Sequence, residues 1–466
     1  MGIFIGRKEE QELINRFLHQ SGSKIVTING RRRIGKSTLV AKIAENCNFF
    51  SFSGIAPNSD RSKQIQIDNF LSQLSKKTGN SYERYTDWFW VLDKLSSELP
   101  KEEKCVVLFD EISWMAHGDS TFVGVLKNWW DLDISKRENI LLIFCGSVST
   151  WINKNIINST AFYGRVSAYI TLEQLSIPES AEFLRKWNFH GSAFEFYKIL
   201  SVTGGVPWYL ERVDPSLTAD KNIEDLCFKR NGLLKPEFEK IFNDVFSIHG
   251  EVYNRILVSL CDGMKTLSEI RAAIEYVPGG TISHLMDNLI TCGFVSKHQQ
   301  WSFKSKKFGR QSVYRICDPY VRFYLRYIKL AGNREKPPEN LDSIVGLQME
   351  SLLIQNRKII WKLLCIDEPL IDNPYIQRST LSKKGCQIDY LIQTRTNNLY
   401  ACEFKFQRRS LNIEIITEMR EKIDRLSIPR GMAIVPVLFH LGGVSESVYL
   451  DNFFYKIIDL ADLLEE

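Results

Sequence analysis

The sequence predicts an α/β fold organised on a parallel sheet, and three stretches predict it. Near the start, Gly30-Arg31-Arg32-Arg33-Ile34-Gly35-Lys36-Ser37 spells G-x-x-x-x-G-K-S between an apolar run and a helix-forming one. Further on, Cys105-Val106-Val107-Leu108-Phe109 is a continuous apolar run that ends in Asp110-Glu111. A third run, Ile140–Cys145, ends in Gly146-Ser147. Strands buried on both faces read as continuous apolar runs, and ligands gather at the carboxyl ends of such strands.

Taken in order, Leu13, Ile14 and Leu18 fall on one side of an amphipathic N-terminal helix, and Lys24–Ile28 reads as a buried strand. In the loop that follows, Gly30 and Gly35 let the backbone curl so that its N–H groups face phosphate oxygens. Lys36 is placed to reach the β- and γ-phosphates and Ser37 to ligate Mg²⁺. The helix over residues 37–45 begins with Ser37 and Thr38, and its N-terminal dipole also favours phosphate. The motif therefore predicts ATP or GTP bound by Gly30, Gly35, Lys36, Ser37 and Thr38. Residues 48–53 read as extended, and 64–75 and 88–97 as helices. Asp110 is expected to hold Mg²⁺ and Glu111 to activate the attacking water. Ser147 is expected near the γ-phosphate as a sensor. Arg165, in Phe162-Tyr163-Gly164-Arg165, is the candidate for transition-state charge, a role worth about 10³–10⁵ in rate.

Composition narrows the classes. The 466 residues hold material for several cores, and 44% hydrophobic with 25% charged residues is ordinary for a globular chain. A net charge of +5 permits a nucleic-acid partner without demanding one. No apolar run approaches the roughly 18 residues of a membrane span. Met1–Arg7 lacks signal-peptide architecture. The 10 cysteines form no C-x-x-C pair, which suits buried thiols in a reducing compartment better than disulfides or zinc. The expectation is a cytoplasmic protein without membrane association.

Between Thr171 and Phe246 the pattern turns helical, with segments beginning near Pro178, Phe194 and Pro236, which suits a lid over a nucleotide. Next, Val252–Cys261 reads as a helix, and Thr266-Leu267-Ser268-Glu269 is a capping box opening a second. Gly279-Gly280 breaks the chain, and a third helix runs from Thr281 to Cys292. Phe294–His298 and Ser312–Ile316 then flank Lys304, Lys306, Lys307 and Arg310 as a basic hairpin. Three short helices and a hairpin predict a winged helix-turn-helix. Its third helix offers only Ser283, His284 and Asn288 to bases, while the four hairpin cations suit DNA phosphates; the alternative is a docking surface that touches no DNA.

Asn333–Asn340 reads as a linker, and Leu341–Leu364 as a helix carrying Glu350. Gly385–Ile392 and Leu399–Phe406 form strands joined by a turn over residues 394–398. Glu403 and Lys405, two apart on a strand, share a face. A turn centred on Thr396 sets Asp389 opposite Glu403. Carboxylates this close repel unless a cation neutralises them. Mg²⁺ bridging Asp389 and Glu403 would do so, with Glu350 completing the set and Lys405 positioning water and stabilising charge on phosphorus.

Together these stretches resemble the prokaryotic AAA+/STAND-type ATPases that carry a nuclease-like tail. The matching pieces are Phe4–Glu12, the G-x-x-x-x-G-K-S loop, Leu108–Glu111, Cys145-Gly146-Ser147, Tyr163-Gly164-Arg165, and Thr203-Gly204-Gly205-Val206-Pro207-Trp208-Tyr209-Leu210. The resemblance implies ATP rather than GTP, Arg7 near the adenine, and Pro207 in a lid segment facing the nucleotide. The tail, as D-x₁₃-E-x-K, resembles the PD-(D/E)XK nuclease fold, with Gln387 standing where relatives often carry Glu. The expected organisation is a P-loop ATPase core over 1–172, a helical lid over 173–246, a winged helix over 247–330 and a nuclease-like α/β domain over 331–466. The expected function is an ATP-hydrolysing, DNA-associated protein with a Mg²⁺-dependent nuclease domain, compatible with a second copy or a protein partner. The alternatives are a nucleotide-dependent switch or scaffold with a degenerate tail, and a motor acting on protein.

Overall fold

The computed structural model describes residues 3–56, 63–147, 149–245, 250–275, 281–332, 334–339, 341–377, 379 and 384–465. Gly279-Gly280, Asn333 and Asn340 lie outside the described residues. The chain divides into two compact units, Met1–Gln174 and Leu175–Glu466.

The first unit is built on β1 (Lys24–Gly30), β2 (Asn48–Ser53), β3 (Cys105–Asp110), β4 (Ile140–Gly146) and β5 (Val166–Leu172). They lie in the order β2-β3-β4-β1-β5, every neighbouring pair parallel. Every residue of β4 is buried, and so is every residue of β3 before Asp110, as their unbroken apolar runs require. β5 escaped the sequence reading because it is an edge strand: its exposed and buried residues largely alternate, leaving no continuous apolar run. The helix Lys63–Thr78 seats Phe70 on the sheet, stacked on Phe52 with centroids 3.9 Å apart and edge-on to Phe109 at 5.6 Å.

In the second unit, the helices Ile177–Lys186, Ala193–Thr203 and Glu237–Val245 fall close to the expected helical stretches. β6 (Lys265–Thr266), β7 (Val295–Ser302) and β8 (Lys307–Ile316) form an antiparallel sheet in the order β6-β8-β7. The helices Gly250–Ser259, Leu267–Ala273 and Thr281–Thr291 accompany it, and Thr266 and Glu269 form the reciprocal capping box. The hairpin strands run longer than expected, so Lys307 and Arg310 lie within β8 rather than at the turn.

The helix expected over residues 341–364 is two helices, Leu341–Gln355 and Arg357–Leu363, parted at Asn356. That side chain is drawn into other bonds: its amide donates to the Leu352 carbonyl at 2.8 Å, and its Oδ1 accepts from the Ile177 N–H at 2.9 Å. The tail sheet comprises β9 (Ile371–Gln377), β10 (Cys386–Gln393), β11 (Asn398–Phe406), β12 (Ala433–Leu441) and β13 (Lys456–Asp459), ordered β13-β12-β11-β10-β9. β9, β10 and β11 are antiparallel, whereas β11, β12 and β13 are parallel. Parallel neighbours need a crossover connection, and the helix Glu414–Arg425 provides it between β11 and β12.

Residues 334–339, read as a linker, join parts of one body. Gln348 donates to the carbonyls of Ser201 at 3.3 Å and Pro319 at 2.8 Å, and the Tyr197 hydroxyl donates to the Leu460 carbonyl at 2.6 Å. Trp301 and Phe303 of the hairpin belong to the same hydrophobic core as Ile388, Leu399 and Leu438 of the tail. Trp301 Nε1 donates to Gln393 Oε1 at 2.6 Å, and the Gln393 amide donates on to the Phe303 carbonyl at 3.0 Å.

Candidate functional sites

The G-x-x-x-x-G-K-S loop runs from the end of β1 into the helix Lys36–Ile43. Gly30 is dictated by a close approach, since a Cβ there would sit 2.6 Å from the Leu172 carbonyl oxygen at the end of β5. Gly35 caps the helix with φ 92°, a left-handed conformation that glycine adopts without strain. Lys36 is 6% exposed, and its ammonium is held by the loop carbonyls of Gly30 at 2.9 Å and Arg31 at 3.2 Å. Among the described residues no carboxylate pairs with Lys36, so its charge stays directed to an incoming anion. Ser37 and Thr38 are exposed at the loop's mouth.

The carboxyl ends of the neighbouring strands converge on the same loop. Ser37 donates to Asp110 Oδ2 at 2.6 Å, and Asp110 Oδ1 accepts from the Glu111 N–H at 3.0 Å. Glu111 takes φ 50°, which turns the chain away from the strand path. Its Oε2 accepts from the Ser147 hydroxyl at 2.9 Å and the Ser147 N–H at 3.2 Å. Strand order explains the meeting: β4, which delivers Ser147, lies between β1 and β3. Arg7 is 6% exposed and donates to the carbonyl of Ile34 inside the loop at 3.4 Å. Arg7, Arg33 and Glu111 all have positive φ. Such backbone costs about 1–3 kcal/mol per residue and gathers at functional sites. A serine hydroxyl beside an aspartate is an oxygen pair of the kind Mg²⁺ takes together with water and phosphate. Ser37 and Asp110 thus fit the ion as its protein ligands.

Arg165 and Pro207 are the remaining expected members. Arg165 is engaged in a two-pronged pair with Asp131, at 2.7 and 2.9 Å, which Lys127 shares at 2.8 Å. The Arg165 hydrogen bonds hold the Asp131 carboxyl down at about 2. Asp131 was not singled out in the sequence, being one acid of an amphipathic helix. Pro207 opens the short helix Pro207–Leu210 in the second unit.

Fold and site together define the class, an α/β fold of the P-loop NTPase kind. Residues 4–213 match the family of ATPase domains found predominantly in Archaea. The chain is similar to the Methanocaldococcus jannaschii protein MJECL04, 26% identical over 336 residues that make up 70% of this chain and 69% of that protein. It is also similar to the ATP-binding protein MJ0423 of that organism, 39% identical over 44 residues, covering 9% of this chain and 75% of that one. Among solved structures, the Walker-type ATPase PABY2304 of Pyrococcus abyssi superposes with a TM-score of 0.52 at 19% identity, covering 69% of this chain and 96% of that chain. At that identity the likeness speaks to the fold.

The tail holds the second constellation. β10 and β11 pair Tyr390 with Cys402, so Asp389 and Glu403 are the next residues along the ladder. The Phe404 N–H donates to Asp389 Oδ2 at 2.9 Å. Burial, and after it the charges of Glu403 and Glu350, push the Asp389 carboxyl up to about 7. Glu403 is 2% exposed, and its two oxygens each accept from Lys422 at 2.6 Å. Lys405 lies 3.2 Å from Glu403 and donates to Glu418 at 3.0 Å.

The expected set of three metal-binding carboxylates is not assembled. Among the described residues no three acidic, imidazole or thiol groups gather closely enough to hold a metal. Glu350 stands 3.8 Å from the buried Arg315 of β8. Mg²⁺ is commonly held by one or two carboxylates with water and substrate phosphates, and Asp389 with Glu403 fits that smaller set. Sequence reading missed Lys422 and Glu418, although their four-residue spacing on the amphipathic helix after the E-x-K strand was available. Asn288, expected to read bases, donates instead to the Tyr253 hydroxyl at 2.7 Å, whereas Ser283 and His284 are exposed. Lys304, Lys306, Lys307 and Arg310 are all exposed. No helix among the described residues is long and apolar enough to cross a membrane.

Proposed function

We propose that the chain is a Mg²⁺-dependent ATPase whose nucleotide cycle governs a nuclease-like tail acting on DNA. The observation that carries the reading is the chain of contacts from Ser37 to Asp110 and from Glu111 to Ser147 across three adjacent strands. It gathers an Mg²⁺ ligand pair and an oriented carboxylate beside a buried lysine. In this reading Lys36 and the loop N–H groups bind the phosphates of ATP, and Arg7 lies toward the base. Ser37 and Asp110 would hold Mg²⁺, which would supply charge neutralisation at the phosphates. Glu111, oriented by Ser147, accepts a proton from the attacking water. Arg165 is kept at Asp131 until it is called to phosphate.

Helix Thr281–Thr291 with the β7–β8 hairpin forms a winged helix, whose exposed tip cations meet DNA phosphates. The antiparallel β9–β10–β11 meander, its crossover helix and parallel β12 support a PD-(D/E)XK reading of the tail. Asp389 and Glu403 would hold a divalent ion there and Lys405 would steady the charge forming on phosphorus. The test pairs two assays on the full chain. Lys36→Ala should remove nucleotide binding and ATP turnover, and Asp389→Ala should remove metal-dependent DNA cleavage while sparing turnover. Full ATPase activity in Lys36→Ala would overturn the first half. Wild-type protein that cuts no DNA with any divalent metal, with or without ATP, would overturn the second.

A further inference from the structure

Glu403 and Lys405 point from one face of β11 toward one face of the helix Glu414–Arg425, where Glu418 and Lys422 are a turn apart. The four side chains exchange partners: the strand's acid takes the helix's base, and the strand's base takes the helix's acid. The two contacts are unequal. Lys405 is shared between Glu403 at 3.2 Å and Glu418 at 3.0 Å, whereas Lys422 contacts both Glu403 oxygens at 2.6 Å. Glu403 is all but buried, so an ammonium on both oxygens is the main compensation for its charge. Across the ladder, Asp389 is also buried.

We propose that Lys422 is the positioning residue of the tail site, fixing the Glu403 carboxylate and setting, by competing for it, how tightly the site takes a divalent cation. The inference rests on reading Asp389 and Glu403 as a cation site. A divalent ion reaching Glu403 must take at least one oxygen from Lys422 and then bear the repulsion of the ammonium it displaces. Removing that ammonium removes the tighter of the two competitors and its share of the repulsion, leaving Lys405 in place. Lys405, shared between Glu403 and Glu418, stays at the site in either case and contacts only one Glu403 oxygen, so it does not take over the grip on both.

The test measures Mn²⁺ binding to full-length, nucleotide-free protein by calorimetry and electron paramagnetic resonance. Asp389→Asn identifies which signal belongs to the tail. Lys422→Met should bind Mn²⁺ about tenfold more tightly at the Asp389-dependent site, as expected from loss of a like charge a few ångströms away. Lys422→Arg, which keeps the charge and can grip both oxygens, should stay close to wild type. Mn²⁺ should also raise the melting temperature of Lys422→Met more than that of wild type, whereas a purely structural lysine would leave the two increments equal. Should Lys422→Met fail to fold, Lys422→Gln retains a donor without the charge and serves the same comparison. If wild type binds Mn²⁺ at the site and the neutral variant binds it no more tightly, the role of Lys422 is overturned and the metal site stands. If neither shows Asp389-dependent binding, both fall.

Discussion

In the first unit a lysine is buried against neutral carbonyls, while Ser37 and Thr38 stand open to solvent. In the tail two carboxylates are buried, and the cations that face them, Lys405 and Lys422, are half-exposed ends of long side chains. A site that awaits an anion keeps its positive charge uncompensated by any acid, and local backbone holds it ready. A buried acidic site cannot do the same. Uncompensated carboxylates repel each other and lose hydration, so such a site carries counter-cations that a metal must displace. The difference predicts unequal sensitivity: the phosphate loop depends on itself, whereas the tail site depends on elements that pack around it.

The largest expected effect probes the self-contained site. Glu111→Gln should keep ATP binding and lower turnover by about 10²–10⁴-fold, the range of a lost general base, read by comparing nucleotide affinity with steady-state hydrolysis. Wild-type turnover in that variant would remove Glu111 from the chemistry and leave the loop as a binding device.

Next comes the tail's dependence on its surroundings. Gln393 is fully buried between Trp301 and the Phe303 carbonyl, so Gln393→Ala orphans a donor and an acceptor at once. At about 1–3 kcal/mol for each unsatisfied group, stability should fall by about 2–6 kcal/mol in denaturant unfolding of the second unit. A loss below about 0.5 kcal/mol would mean that the hairpin is not a structural part of the tail.

The smallest effect concerns Arg165. Its pair with Asp131 lies at the surface, so Asp131→Asn should cost under about 1 kcal/mol. The Asp131 carboxyl is held low in the folded state, at about 2. The contribution is therefore complete above the ordinary carboxylate range and disappears as pH falls from that range through 2. If Arg165 serves phosphate, Asp131→Asn should leave turnover unchanged or raise it, while Arg165→Ala lowers it.

The nucleotide site was legible because its parts are short-range or strongly patterned. One loop of consecutive residues supplies the glycines, Lys36 and Ser37, and two apolar runs announce their own acidic or hydroxyl endings. The hairpin turn was legible too, and it fixed Asp389 near Glu403 through register alone. What escaped were partners that no local pattern names. Asp131 is one charged residue on a helix among many, and Lys422 sits beyond a stretch with no motif. Asn288 looked free until folding put Tyr253 beside it.

The sequence by itself determined the phosphate loop, the buried strands and the reach of the acidic hairpin, because each follows from neighbouring residues and backbone periodicity. Tertiary structure alone decided that β5 closes the sheet edge, that the basic hairpin shares a core with the tail, and that Glu403 is held by a lysine from the crossover helix. Those outcomes depend on which distant surfaces exclude water together and which buried charges must then be matched, and neither is written in any one stretch of chain.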